Sequence, residues 1–206
     1  VSGFCAHYFV SRLRIKTLLT GLQRDTLIRR LRLAHRDLKR RAEHDGLTGL
    51  LTRNALVRRL KPVLAGERAF LLGIMDIDDF KGINDTFGHS AGDVVLRRMG
   101  AVLQEQLGDT DMASRIGGDE FVFVIRGTVG KEFAESLLPR ICAAFVTYED
   151  VPCPISVSIG FAAFPNDGAE FEVLYKEADK ALYHAKRQGK RQCAFYGELP
   201  EPCPAP

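Results

Sequence analysis

Two stretches of this chain set carboxylates where they could work on phosphates and metal ions. In the first, Arg115 to Ile125, Gly117 and Gly118 place Asp119 and Glu120 at a tight bend, and β-branched and aromatic residues follow at once. That pattern predicts a β-hairpin with an acidic tip and a buried outgoing strand. Glycine lets a backbone approach a ligand closely, and carboxylates at a bend suit a hard cation and the phosphates it carries. Taken alone, such a turn is more often solvent-facing decoration. In the second stretch the apolar run Phe70 to Met75 ends in Asp76, with Asp78, Asp79 and Lys81 crowding the exit. A buried strand that releases acids, a lysine and a short helix is where α/β folds place phosphate chemistry. The N–H groups opening the next helix favour anions. Asp is also an ordinary helix cap, but three acids and a lysine exceed what one cap needs.

The elements that must position these residues alternate. A helix is expected from Thr52 to Gly66, a strand over Ala69 to Ile77, a short helix near Phe80 to Phe87 and a longer one from Ala91 to Leu107. Met112 to Ile116 and Phe121 to Arg126 form the arms of the hairpin. A helix from Lys131 to Tyr148, a strand from Ile155 to Ala163, a helix from Glu170 to Gln188 and a strand near Gln192 to Tyr196 complete the domain. This order predicts an α/β sandwich with the sheet on one side and helices on the other. Residues 45–198 form the domain, and the proline-rich 199–206 is expected to be a frayed, flexible tail.

Residues 1–44 differ in character. From Arg12 to His44 there is no proline and many helix formers, so a long helix is expected. Ile28, Leu31, His35, Leu38 and Ala42 step by threes and fours; a coiled-coil stripe and a face packed on the same domain are equally open. Val1 to Val10 is mostly apolar and is followed by Arg12, Arg14 and Lys16, which suggests the cytoplasmic end of a membrane span belonging to a longer parent.

The 206 residues carry a net charge of +3, unevenly placed: residues 1–45 hold 11 Lys/Arg against 4 Asp/Glu, the rest 18 against 22. A basic arm on a mildly acidic domain argues against a nucleic-acid binder, and the arm lacks interleaved aromatics. The five cysteines are odd in number, without C-x-x-C and without clustered His. They argue against a zinc site or disulfide framework and for a cytoplasmic setting.

Five ordered segments resemble motifs of the GGDEF family, the diguanylate cyclases. They are Asp45 to Leu50, Asp76 to Lys81, Asn84 to His89 with Gly92-Asp93, the intact Gly117 to Phe121 signature, and Ala178 to Lys190. The resemblance spans about Asp45 to Tyr196. It implies a nucleotidyl-cyclase-like α/β (α+β) fold, a central and mostly antiparallel sheet flanked by helices, here preceded by the long N-terminal helix. The activity implied joins two GTP into cyclic di-GMP with loss of two pyrophosphates.

By the same resemblance, Asp76, Asp119 and the Ile77 carbonyl match the ligands of Mg²⁺ or Mn²⁺, two ions per active site. Asp119 also matches a proposed proton acceptor, Lys81 a transition-state partner, and Glu120 is open between a catalytic part and a structural ion pair. The Asp79 and Phe80 amides match terminal-phosphate contacts, with Lys186 and Lys190 beside them; on a generic helix those lysines would be an exposed i, i+4 pair. Asp93, with Asn84 and His89, matches the guanine reader and favours GTP. One GTP per domain implies a homodimer, which the N-terminal helix could gate for an upstream sensor. The sequence departs from the family at Gly108, where the product-inhibition motif R-x-x-D has its arginine; Asp111 is retained. Feedback by product is therefore expected to be weak. The alternative is a catalytically idle GGDEF module that senses GTP or binds a partner; such domains typically have a broken signature, and this one does not.

Overall fold

The computed structural model describes residues 27–31, 42–66, 68–127, 131–145, 150–151 and 153–200. The chain divides into two units, Val1–Ala42 and Glu43–Pro206. In the first, residues 27–31 are helical, and Leu27, Ile28 and Leu31 are exposed. Of the expected long helix, Ala42 and Glu43 are also helical and His44 instead bridges to Leu51, while 12–26 and 32–41, with His35 and Leu38 of the stripe, the apolar Val1 to Val10, and 201–206 of the tail lie outside the described residues.

The second unit is built on a six-stranded sheet in the order β1-β3-β4-β2-β5-β6. Its elements are β1 (Leu51–Thr52), α1 (Arg53–Ala65), β2 (Phe70–Ile77), α2 (Phe80–Phe87), α3 (His89–Gln106), β3 (Met112–Gly117) and β4 (Glu120–Arg126). They continue with α4 (Lys131–Phe145), β5 (Val157–Phe164), α5 (Phe171–Arg187), β6 (Cys193–Phe195) and a 3₁₀ turn, Tyr196–Glu198. Pairings among β3, β4, β2 and β5 are antiparallel, and the short edge strands β1 and β6 pair in parallel. The apolar patterns place the main elements to within a few residues. The two-residue β1 has no pattern of its own and was not anticipated.

Helices cover both faces of the sheet, not one. Met75, Ile77, Phe121, Phe123, Ile159 and Phe161 pack with Val95, Met99 and Leu103 of α3 and with Leu137 and Ile141 of α4. Leu72, Ile74, Val122, Val124 and Ala162 pack with Leu56 and Leu60 of α1 and with Leu174, Ala178 and Leu182 of α5. The physical reason is in β4, where Phe121 through Ile125 are all buried. A strand apolar on both sides needs cover on both.

Register carries the site. Asp76 of β2 lies opposite Glu120 of β4 on one side and Ser158 of β5 on the other. Side chains alternate along a strand, so all three share the face of Leu72, Ile74 and Val122, the face covered by α5. That helix lies unusually close. A Cβ at Gly160 would collide with the Ala178 carbonyl and the Leu182 nitrogen of α5, so only glycine admits the helix at this distance.

Candidate active site

The sheet ends Asp76, Glu120 and Ser158 in one cross-strand row, and like charges side by side there are unfavourable. Helix α5 answers both acids. Lys186 Nζ lies 2.7 Å from Asp76 Oδ1, and the Tyr175 hydroxyl donates to Glu120 Oε1. The phenol is pushed above its usual range by burial first, then by the hydrogen bond to Glu120 and its charge. Arg53 of α1 lies over the Phe171 and Tyr175 rings and pairs with Glu172, bracing that corner. Glu120 thus has a phenol partner, and the alternative structural ion pair does not form among the described residues.

Asp119 sits at the hairpin tip, where Gly118 takes φ +56°, a conformation glycine adopts freely. The tip is braced from the first motif. Arg115 donates from Nε and Nη2 to the Gly118 carbonyl at 2.9 and 2.7 Å, and its Nη1 is 3.3 Å from Asp45 Oδ1. Asp45 in turn accepts from the Thr48 amide at 2.9 Å and from its hydroxyl at 2.8 Å. Asp119 itself has no side-chain partner among the described residues.

Burial pushes the Asp76 carboxyl above its ordinary value; the Lys186 bond opposes this, and the charges of Asp119 and Asp78 add to the push. Lys186 is the cation paired with Asp76 among the described residues. No group of three or more His, Cys, Asp or Glu placed to hold a metal occurs among the described residues. Two carboxylates and a backbone carbonyl nevertheless fit Mg²⁺, which completes its shell with water and substrate phosphates. The Ile77 side chain is buried in the core, so only its backbone could contribute.

A cleft of about 510 Å³ is lined by Asp78, Asp79, Gly82, Lys190 and Arg191 among others; Asp76, Asp119 and Lys186 are not in its lining. Asp79 precedes α2 with φ +56° and makes no side-chain cap bond, so the ordinary capping role does not apply. Its carboxylate instead lies over Gly82, where a Cβ would come within 2.6 Å of Oδ2. The amides opening α2 are left uncapped by that side chain, as an anion site requires. Lys81 is exposed on the same helix.

The i, i+4 relation of Lys186 and Lys190 does not hold on one helix. Helix α5 ends at Arg187, Gly189 follows at φ +116°, and Lys190 and Arg191 take φ 62° and 50°. Lys186 is half-buried at the acid row, and Lys190 lies in the loop beyond.

Asn84, His89 and Asp93 lie at the α2–α3 junction. Asn84 is half-buried, and His89 and Asp93 are exposed. Gly92 makes room for Asn84, because a Cβ there would strike Asn84 Oδ1.

Asp111 stands apart. It accepts from the Gly108 amide and the Arg126 amide, both at 2.9 Å, so the retained acid of the degenerate motif caps the turn and ties it to the end of β4. Arg59 lines the same hollow, with its guanidinium on Glu43 at 3.2 Å.

Sequence reading missed Tyr175, Arg115, Gly160 and the partners of Asp78. A lone glycine inside the expected strand was a visible sign of close backbone approach for Gly160. Tyr175 and Arg115 carried no local signal, because their partners are distant in sequence.

Comparison with known proteins identifies the family. The family model described as "Diguanylate cyclase, GGDEF domain" matches residues 42–192. The diguanylate cyclase DgcP of Pseudomonas aeruginosa is 39% identical over 161 residues, 75% of this chain and 24% of that protein. DgcS of Shewanella oneidensis, also named a diguanylate cyclase, is 36% identical over 163 residues, 77% of this chain and 54% of that protein. The chain therefore spans a quarter to about half the length of these relatives. The coiled coil and GGDEF domain of DgcB from Caulobacter crescentus, solved with c-di-GMP, superposes with a TM-score of 0.75 at 31% identity, covering 86% of this chain and 98% of that one. Matched by that family model over residues 42–192, this chain belongs to the GGDEF family.

Proposed function

We propose that the chain is an active diguanylate cyclase, condensing two GTP into cyclic di-GMP and two pyrophosphates across a homodimer. The observation that carries the proposal is the register that sets Asp76 opposite Glu120, next to Asp119 at the turn, with Lys186 on the Asp76 carboxylate and an uncapped helix start after the strand. In each step a ribose 3′-oxygen bonds to an α-phosphorus, the bond to the β-phosphate oxygen breaks, and pyrophosphate leaves with its electron pair. The hydroxyl proton passes to Asp119 or to solvent.

Asp76, Asp119 and the Ile77 carbonyl would hold Mg²⁺ or Mn²⁺, two per site. When bound, such ions neutralise phosphate charge and lower the pKa of a coordinated hydroxyl. Lys81 would supply a point charge to the developing phosphate charge. The Asp79 and Phe80 amides, with Lys190, orient the terminal phosphates, and Lys186 exchanges Asp76 for phosphate as substrate enters. Asp93 and Asn84 accept and donate along the guanine edge, with His89 beside them. Glu120, held by Tyr175, keeps the hairpin seated against α5.

A two-fold dimer brings each 3′-oxygen to the opposing α-phosphate. The N-terminal segment would set that pairing. Feedback by cyclic di-GMP through Gly108 and Asp111 should be weak, since glycine supplies no guanidinium fork and Asp111 is already engaged.

The test is incubation of the chain with GTP and Mg²⁺, products followed by mass, beside Asp119→Ala. Cyclic di-GMP from the parent alone is the expected result. No product at any protein concentration, with GTP still bound, would favour the idle GTP-sensing module instead.

A further inference from the structure

We infer that Asp78 is a positioning residue that fastens the Lys190 loop across the cleft and is not a ligand of the cation; this rests on the nucleotide reading above. Asp78 and Asp76 leave the same strand two residues apart and fare differently. Asp78 Oδ2 accepts from the Ser156 hydroxyl at 2.8 Å and from the Arg191 amide at 3.1 Å, and Oδ1 accepts from the Ser158 hydroxyl at 2.7 Å. Its own amide donates to the Ser156 carbonyl at 2.9 Å. Three of roughly four acceptor positions on the carboxylate are therefore filled by protein donors. A cation could take both oxygens of this group only by displacing them.

The donors come from β5, from the segment preceding it and from the loop after α5. That loop is held in an unfavourable shape. Lys190 and Arg191 both have left-handed φ, which residues bearing side chains avoid, and two in succession persist only where the surroundings hold them. On the α5 side, the Lys190 amide and Gln192 Nε2 both donate to the Ala185 carbonyl, at 3.2 and 2.9 Å. The Asp78–Arg191 bond supplies the opposing anchor, from the β2 exit, and Asp78, Lys190 and Arg191 all line the cleft. Asp78 thereby sets where the Lys190 ammonium stands relative to the amides of α2.

The test measures binding of a GTP analogue with a methylene between the α- and β-phosphorus, in Mg²⁺, by calorimetry on the full chain. Asp78→Ala, Asp78→Asn, Lys190→Ala and the Asp78→Ala/Lys190→Ala pair are compared with the parent, and Mn²⁺ binding without nucleotide is read by electron paramagnetic resonance. Asp78→Ala and Lys190→Ala should each weaken the analogue about tenfold, as loss of a charge-assisted contact would. The pair should be little weaker than either single variant. Asp78→Asn, which can still accept from Arg191, should restore most of the affinity, and Mn²⁺ binding should not change.

Additive losses, an Asn variant as weak as Ala, or lost Mn²⁺ binding would overturn the inference. If Asp78→Ala does not fold, Ser158→Ala carries the test through faster amide exchange at Arg191; unchanged exchange would count against it. A parent that binds the analogue but makes no cyclic di-GMP would remove the cyclase reading and leave this inference standing. A parent that binds no analogue would overturn both.

Discussion

The two ends of β4 treat acids in opposite ways. Where the strand begins, Asp119 has no side-chain partner among the described residues, and Asp76 across the sheet has Lys186 against burial and the charges of Asp119 and Asp78. Where it ends, Asp111 is spent on two backbone amides, those of Gly108 and Arg126. One end leaves Asp76 and Asp119 under-satisfied while Tyr175 holds Glu120, and the other turns Asp111 into part of the frame. An acid's availability for chemistry is thus read from the donors that already hold it. Its place in a motif alone does not settle the matter.

The comparison can be broken most sharply at Asp76. Asp76→Asn should cut cyclic di-GMP formation at least about a thousandfold, since metal-assisted charge stabilisation is worth several kcal/mol. It should leave Tm equal or higher, because a buried like charge disappears. A variant keeping a tenth of parental turnover, or one that unfolds, would show that this end is frame after all. At the other end the order reverses. Asp111→Ala should cost about 1–2 kcal/mol in urea unfolding, from backbone amides left without their acceptor, with turnover per folded molecule unchanged. Turnover lost without stability lost would undo the distinction.

The smallest effect is expected at Asp45, which braces the hairpin through Arg115. Burial pushes its carboxyl up, but the Thr48 hydrogen bonds and Arg115 together hold it below the ordinary 3.8. A lowered folded value contributes stability above about pH 4 that is lost as pH falls through that value. The Tm gap between parent and Asp45→Asn should therefore be constant near neutrality and close in acid. A gap that widened in acid would reverse the sign.

Much of this was legible in the sequence where one segment carries its own pattern. Phe80 to Phe87 reads as a short helix and is one. The hairpin arms around Gly117-Gly118 read from their alternation. What escaped depended on pairing across distance. Nothing near Glu120 announces Tyr175, 55 residues on. Nothing near Asp78 announces Ser156, Ser158 and Arg191. The expected single layer of helices failed because Phe121 to Ile125 are buried on both faces of β4, and each face takes its own helices.

Gly160 has a bearing on how freely this domain can vary. Helix α5 rests on β5 backbone to backbone there, with no side chain between them to be trimmed or repacked. A collision with a carbonyl and an amide nitrogen has no rotamer to relieve it, so every replacement meets the same wall, from alanine upward. In a saturation library the position should tolerate nothing. Its neighbours in the core, where volume can be traded among side chains, should accept several residues each.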